Sequence, residues 1–213
     1  SLLAGGMVAA SLLPGARRKL KIDIDSVRAR HPHIIYAVGS GQGLEGPDAE
    51  KGGFDLISYW GRAGIASAIT PDGAEYPSSM PGPAFGDTTA GACLAGGIAA
   101  AIVQQVKTGK GALVDTSLLG WGMWALQPGI VGAKLAGIDE LPKAGRSMMP
   151  NPLVNSYRTS DDRFILLSML QGQRYWPDFC RAIGHPELVE DSRYCTSELR
   201  SENLAECIDC LSE

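Results

Sequence analysis

The order of apolar and polar positions divides the chain into predictable elements. HIIYAVGS, ending at Ser40, is a compact β-rich run closed by glycine, and it predicts a central strand. ARRKLKIDIDSVRARHP before it predicts a short amphipathic helical region closed at His31-Pro32. FDLISYWGRAGIASAI predicts a helix with apolar Phe54, Ile57, Tyr59 and Ile65 and with Asp55 in its first turn. After the turn-rich TPDGAEYPSSMPGP, small apolar residues predict a long helix from about Thr88 to Val106. It is stopped by KTGKG, with Lys107 near the negative end of the helix dipole. ALVDTSLLGWGMWALQ predicts a short strand and a second apolar helix. Pro128 to Pro152 holds four prolines and several glycines and reads as a loose connector. Beyond it, LVNSYRTSDDRFILLSML has strand–turn–strand form with Asp161-Asp162 at the turn, and RYWPDFCRAIG and SELRSENLAECIDCLSE have amphipathic helical patterns. The expected organisation is α/β, with a larger domain over residues 1–127, a linker over 128–152 and a small α+β domain over 153–213.

Two apolar stretches bear on the environment. SLLAGGMVAASLL lacks the basic lead of a signal peptide. Ala90 to Val103 falls short of the about 20 residues that cross a bilayer. Both are expected to be buried in protein, with no membrane partner. The first begins without a polar lead-in, which suggests a chain that is part of something larger.

Composition narrows the function classes. With 213 residues and 45% hydrophobic content, one sizeable core or a core with a small lobe is attainable. The formal net charge is -4, and no block is strongly basic beyond Arg17-Arg18-Lys19-Leu20-Lys21 and Arg28-Ala29-Arg30. A broad nucleic-acid surface is not expected, while a small anionic ligand is compatible. The five cysteines form no regular framework and read as reduced thiols of a cytoplasmic protein. CIDC has redox-motif spacing but lies in a helical pattern without Gly or Pro. His31, His33 and His185 have no partners at ligand spacing, so no metal is expected.

Candidate chemistry gathers around two glycine-rich turns. GSGQGLEGPDAEKGG follows the expected central strand, and the carboxyl ends of strands are where open α/β sheets bind ligands. Its spacing is not a dinucleotide fingerprint. Asp87 stands before the long small-residue helix, as an N-cap that N–H donors and the helix dipole hold ionised. Thr88, Thr89, Ala90, Gly91, Ala92 and Ala95 leave space around that carboxylate. The residues allow two readings, a structural cap with tight helix packing or a nucleophile for an activated acyl carbon. Asp55 is either an ordinary first-turn acid or a second carboxylate facing Asp87. Lys19 suits a ligand phosphate or a solvated surface, and Gln42 suits an acyl oxygen or solvent. Tyr59, Trp60, Trp121 and Trp124 suit core packing better than an acyl pocket.

Read together, LLPGARRKL, HPHIIYAVGSGQGLEGPD, GGFDLISYW, GDTTAGACLAGGIAAAIVQQVKTGKGALVDTSLL, NPLVNSYRTSDDRFILL and RYWPDFCRAIGHPEL resemble the family III CoA-transferases. These include formyl-CoA, carnitine and 2-hydroxyacyl-CoA transferases, and the alpha-methylacyl-CoA racemases share the fold. The resemblance covers nearly the whole chain from about Leu12. It implies part of a Rossmann-like large domain and part of a small domain, and assembly as an interlocked homodimer or with a complementary chain.

It implies Asp87 as the nucleophile of a CoA transfer through aspartyl-anhydride and aspartyl-CoA thioester intermediates, with coenzyme A entering as acyl-CoA substrate and a carboxylic acid as acceptor. It places the second acidic position on Asp55. Phe54 stands where racemases carry a histidine acid/base, which favours transferase over racemase. Lys19 falls on a basic position near CoA phosphate, and Ser11 on an asparagine position of a segment that here reads SLLPG. The loop Gly39 to Gly43, with Gly41 and Gln42, would lie along pantetheine. The lid glycine run of some formyl-CoA transferases is absent, LLSMLQGQRYW standing in its place, which disfavours formyl and oxalyl substrates. FDLISYW leans toward transferases for 2-hydroxy or aromatic acids. Alternatives are an acyl-CoA racemase or epimerase, and a non-catalytic CoA-binding subunit or fragment.

Overall fold

In a computed structural model of the chain, residues 6–140 and 145–213 are described. The chain divides into two compact units, Ser1–Lys143 and Ala144–Glu213. The first is built on a three-stranded parallel sheet in the order β1 (Met7–Ala10), β2 (Ile35–Ser40), β3 (Leu113–Ser117). β2 is central, as its pattern predicts. Ile35, Tyr36, Ala37 and Val38 are all buried, as expected for a strand of a parallel sheet covered on both faces.

Crossovers set the remaining elements. Between β1 and β2 lie α1 (Pro14–Lys19) and α2 (Ile24–Arg28), two short helices where the sequence suggests one region. Between β2 and β3 run the glycine loop, a π-helix (Asp55–Arg62), α3 (Ile65–Ile69) and α4 (Phe85–Thr108). The helix expected over FDLISYWGRAGIASAI is thus interrupted, because Gly64 takes φ 93°, which glycine adopts at no steric cost. α5 (Leu118–Ala125) follows β3 directly. α6 (Gln127–Ala136) occupies much of the stretch read as a loose connector. Pro128 sits in its first turn, where a missing N–H costs nothing, and Gly137 ends it in the left-handed conformation.

The core of this unit is Tyr59, Trp60, Ile65, Ala66, Ala90 and Leu118, with Trp121 packed against it. Tyr59, Trp60 and Trp121 therefore pack in or on the core, while Trp124 is exposed. Phe85 meets the rings of Tyr59 and Trp60 edge-on at 6.3 and 6.2 Å and so fastens the start of α4 to the π-helix.

α4 corrects the expectation of a buried apolar stretch. Its Ala90 and Ala101 are buried, but Ala92, Ala95, Ala99, Ile102, Val103 and Val106 are exposed. At 24 residues it is long and apolar enough, by length and composition only, to cross a membrane, a test that core helices also pass. β1, also expected to be buried, alternates between exposed and half-buried positions.

The second unit matches its predicted elements. β4 (Ser156–Arg158) and β5 (Phe164–Leu166) form an antiparallel hairpin with Asp162 at φ 63° in the turn, a position aspartate tolerates better than most residues. α7 (Gly172–Ala182), a 3-10 turn (Pro186–Val189), α8 (Ser197–Glu202) and α9 (Leu204–Cys210) enclose Leu153, Trp176, Cys180, Leu188, Tyr194 and Cys207. Arg200 is buried here, donating to the Tyr194 carbonyl at 2.5 Å and to Gln173 Oε1 at 2.7 Å, with its guanidinium 4.5 Å from the Trp176 ring centroid.

Candidate active site

The carboxyl ends of the three parallel strands converge on a cavity of about 360 Å³. Ser11 follows β1, Gly39 and Ser40 end β2, and Thr116 lies near the end of β3, so each strand contributes to the wall. Gly53 and Phe54 close one side, and Asp87, Ala90, Gly91 and Leu94 of α4 close another. Asp87 is the one ionisable side chain among these described lining residues.

The glycine loop is held by close backbone approach. A Cβ on Gly41 would stand 2.6 Å from Gly53 Cα, and one on Gly53 would stand 2.1 Å from Ser58 Oγ. Only glycine fits where the two loops cross. The Leu119 amide donates to the Gly41 carbonyl at 3.0 Å, and the Gly43 amide donates to Ser40 Oγ at 3.1 Å. Gln42 donates to Ser58 Oγ at 2.9 Å and accepts from Arg62 at 2.8 Å. Its amide thus belongs to the loop's own bonding, and it lines a neighbouring cavity rather than the one with Asp87.

Asp87 is not the N-cap the sequence suggests. α4 starts earlier, with Ala84 as cap at φ 59° and Asp87 in the first turn. The cap comes from elsewhere in the chain: Asp55 Oδ1 accepts the Gly86 N–H at 2.9 Å. Gly86 is required there, since a Cβ would lie 2.2 Å from the Tyr59 ring and 2.5 Å from Asp55 Oδ1. Asp55 is buried, its Oδ2 has no hydrogen-bond partner, and it lines neither cavity.

Relieved of capping, the Asp87 carboxylate has no hydrogen bond to a described residue, and its pKa is raised rather than held down. Desolvation is the larger cause and the charge of Asp55 the second. Although the side chain borders solvent, the apolar wall of Phe54, Ala90 and Leu94 takes part of its hydration.

A second cavity, of about 380 Å³, shares Ser11, Gly39, Ser40, Gly41, Gly53 and Phe54 with the first. Ser11 and Phe54 thus border both, and Phe54 is 77% exposed. Lys19 borders neither and is exposed. The cations at the second cavity are Arg17 and Lys51. Arg17 does not stand out in the run of three, yet its position has a signal. Counting three residues from Pro14 brings it to the same helix face, turned inward, while Arg18 and Lys19 face out. No group of three His, Cys, Asp or Glu among the described residues could hold a metal ion.

Comparison with known proteins agrees with this architecture. The chain is 31% identical over 176 residues to the cinnamoyl-CoA:phenyllactate CoA-transferase of Clostridium sporogenes, covering 83% of this chain and 42% of that protein. It is 31% identical over 179 residues to the (R)-2-hydroxy-4-methylpentanoate CoA-transferase of Clostridioides difficile, covering 84% and 44%. The chain thus spans less than half the length of these relatives. Among solved structures it superposes on Rv3272 from Mycobacterium tuberculosis with a TM-score of 0.77 and 26% identity, covering 97% of this chain and 52% of that one. A CAIB/BAIF family protein from Brucella suis gives the same TM-score and identity, covering 97% and 53%. Residues 6–213 match the model of CoA-transferase family III, and the chain belongs to that family.

Proposed function

We propose that the chain carries the nucleophile of a CoA-transferase, and that this nucleophile is Asp87. The observation that supports it is a single ionisable side chain, with raised pKa and no described hydrogen-bond partner, in a cavity at the carboxyl ends of parallel strands. Covalent acyl exchange needs one such carboxylate. Racemisation needs an acid and a base on opposite faces of the reacting carbon, and Phe54 in the cavity wall can be neither.

In the proposed cycle, an Asp87 oxygen attacks the thioester carbon of an acyl-CoA. The C–S bond breaks, CoA leaves as thiolate, and an acyl-aspartyl anhydride remains. The thiolate attacks the aspartyl carbonyl of that anhydride, releasing the donor acid and leaving Asp87 as its CoA thioester. The acceptor carboxylate attacks this thioester, expelling CoA thiolate and forming a second anhydride. The thiolate then attacks the acyl carbonyl of that anhydride, which yields the new acyl-CoA and frees Asp87. Each step exchanges one carboxyl substituent for another, so no oxidant, reductant or metal takes part. Of the glycine loop, Gly39, Ser40 and Gly41 line the Asp87 cavity and are where backbone donors for the oxyanions would come from. Asp55 acts as a positioning residue, fixing the α4 start that presents Asp87.

The names of the two clostridial relatives favour acids of the 2-hydroxy or aryl class as substrates. The exposed apolar side chains of α4 and the Leu135 side chain of α6 support assembly with a second chain, as an interlocked dimer or with a complementary polypeptide.

Mass spectrometry after acyl-CoA addition tests the reading. Hydroxylamine added to the denatured adduct should convert Asp87, and no other residue, to a hydroxamate. Bound CoA with no adduct at Asp87, or an adduct that persists in Asp87→Ala, overturns it.

A further inference from the structure

The three consecutive cations of α1 have three different fates. Arg18 is exposed and pairs with Glu50 at 2.5 Å. Lys19 is exposed and lies at neither cavity. Arg17 is only 6% exposed, lines the second cavity, and has a buried Nε without a hydrogen-bond partner. No ion pair joins Arg17 to a described carboxylate. Burial raises the Asp115 pKa, which the charge of Arg17 only partly opposes, and Glu50 is held down chiefly by its bond to Arg18, with Arg17 the least of the causes, so neither carboxylate closes on Arg17. Lys51, the other cation at this cavity, is engaged by Asp48 at 2.7 Å.

A guanidinium keeps its charge in any protein environment, so it cannot escape burial by losing a proton. Taking it from water without an anion to pair with is unfavourable. A buried, unpaired arginine at the wall of an open cavity is therefore complementary to an anion that comes from outside. Its planar array of donors suits phosphate in particular. The position of that cavity adds direction. It shares its Gly39–Gly41, Gly53 and Phe54 wall with the Asp87 cavity, which has no cation of its own.

We propose that Arg17, rather than Lys19, anchors the phosphate-bearing end of the thioester substrate. The phosphate ester sits in the second cavity, and the uncharged arm crosses the Gly41–Gly53 contact to bring the thioester to Asp87. This rests on the acyl-CoA reading above and adds the residue that sets the substrate's orientation.

Calorimetric binding to the full chain separates the two ideas, with CoA and phosphate-free pantetheine as probes. Arg17→Gln should weaken CoA binding about 10- to 100-fold, the scale of a lost charge-assisted hydrogen bond, and leave pantetheine binding unchanged. Arg17→Lys retains the stem and a point charge and should fall between, which keeps the test usable should Arg17→Gln not fold. Equal losses for CoA and pantetheine, unchanged CoA binding, or a larger loss from Lys19→Ala than from Arg17→Gln would each overturn the assignment. Wild-type protein that binds pantetheine and CoA equally well sinks the Arg17 anchor alone, whereas wild-type protein that binds neither sinks the acyl-CoA reading with it.

Discussion

Asp55 Oδ1 accepts the Gly86 N–H at 2.9 Å, joining the first residue of the π-helix to the first turn of α4 across 31 positions of chain. This contact places Asp87. An orphan amide of α4 is satisfied by a residue from another element, so Asp87 is released from capping and left with an unpaired carboxylate at the cavity.

Removing the acceptor should therefore affect both stability and site. Asp55→Ala leaves a buried amide unpaired and is expected to cost about 1–2 kcal/mol of unfolding free energy. Asp55→Asn keeps a carbonyl oxygen for the Gly86 amide and should cost less. Both remove the charge that raises the Asp87 pKa, so both should shift it downward. Urea unfolding reads the first effect and NMR titration of the Asp87 carboxyl the second. Equal stability of the two variants would show that the bond contributes little.

The pH dependence of Asp87 follows from the sign of its shift. Its folded-state pKa lies above the unfolded value, so the stability linked to it is fully present below the unfolded pKa. That stability is lost as pH rises through the raised folded value. At neutral pH the charged carboxylate is thus mildly destabilising. Asp87→Asn should stabilise at pH 7 by no more than about 0.5 kcal/mol, the scale of surface substitutions, with the difference vanishing in acid. Thermal melts of both proteins against pH check this. A stability gain at pH 7 alongside loss of acyl transfer would fit a residue kept for chemistry.

The second unit offers an independent check through its thiols. Burial pushes the Cys180 thiol up to about 11 and that of Cys207 up to about 12. Since the thiolate is the reactive form, neither should alkylate at pH 8 in the folded protein. Titration with a thiol reagent, then peptide mapping, should show modification at Cys93 and Cys195 well before Cys180 and Cys207. A Cys207–Cys210 disulfide under mild oxidation would contradict the reading of CIDC as an ordinary helical turn.

The sequence by itself determined the central strand, the glycine loop at its end, the long helix beginning near Asp87, and the hairpin with Asp161-Asp162 at its turn. All of these depend on local pattern: a β-rich run closed by glycine, a stretch of small apolar residues, a turn between two short strands. The motif resemblance likewise identified the family before any geometry was available. What only the tertiary structure decided was which group satisfies which. That Asp55 and not Asp87 caps α4 depends on a bond between residues distant in sequence. That Arg17 is buried at a cavity with no described carboxylate paired to it, while Lys19 meets solvent, depends on what surrounds each side chain in the folded unit. That α4 keeps much of its apolar surface exposed is likewise legible only in the packing around it. Composition and periodicity report what each residue can do, and packing selects the partner with which it does it.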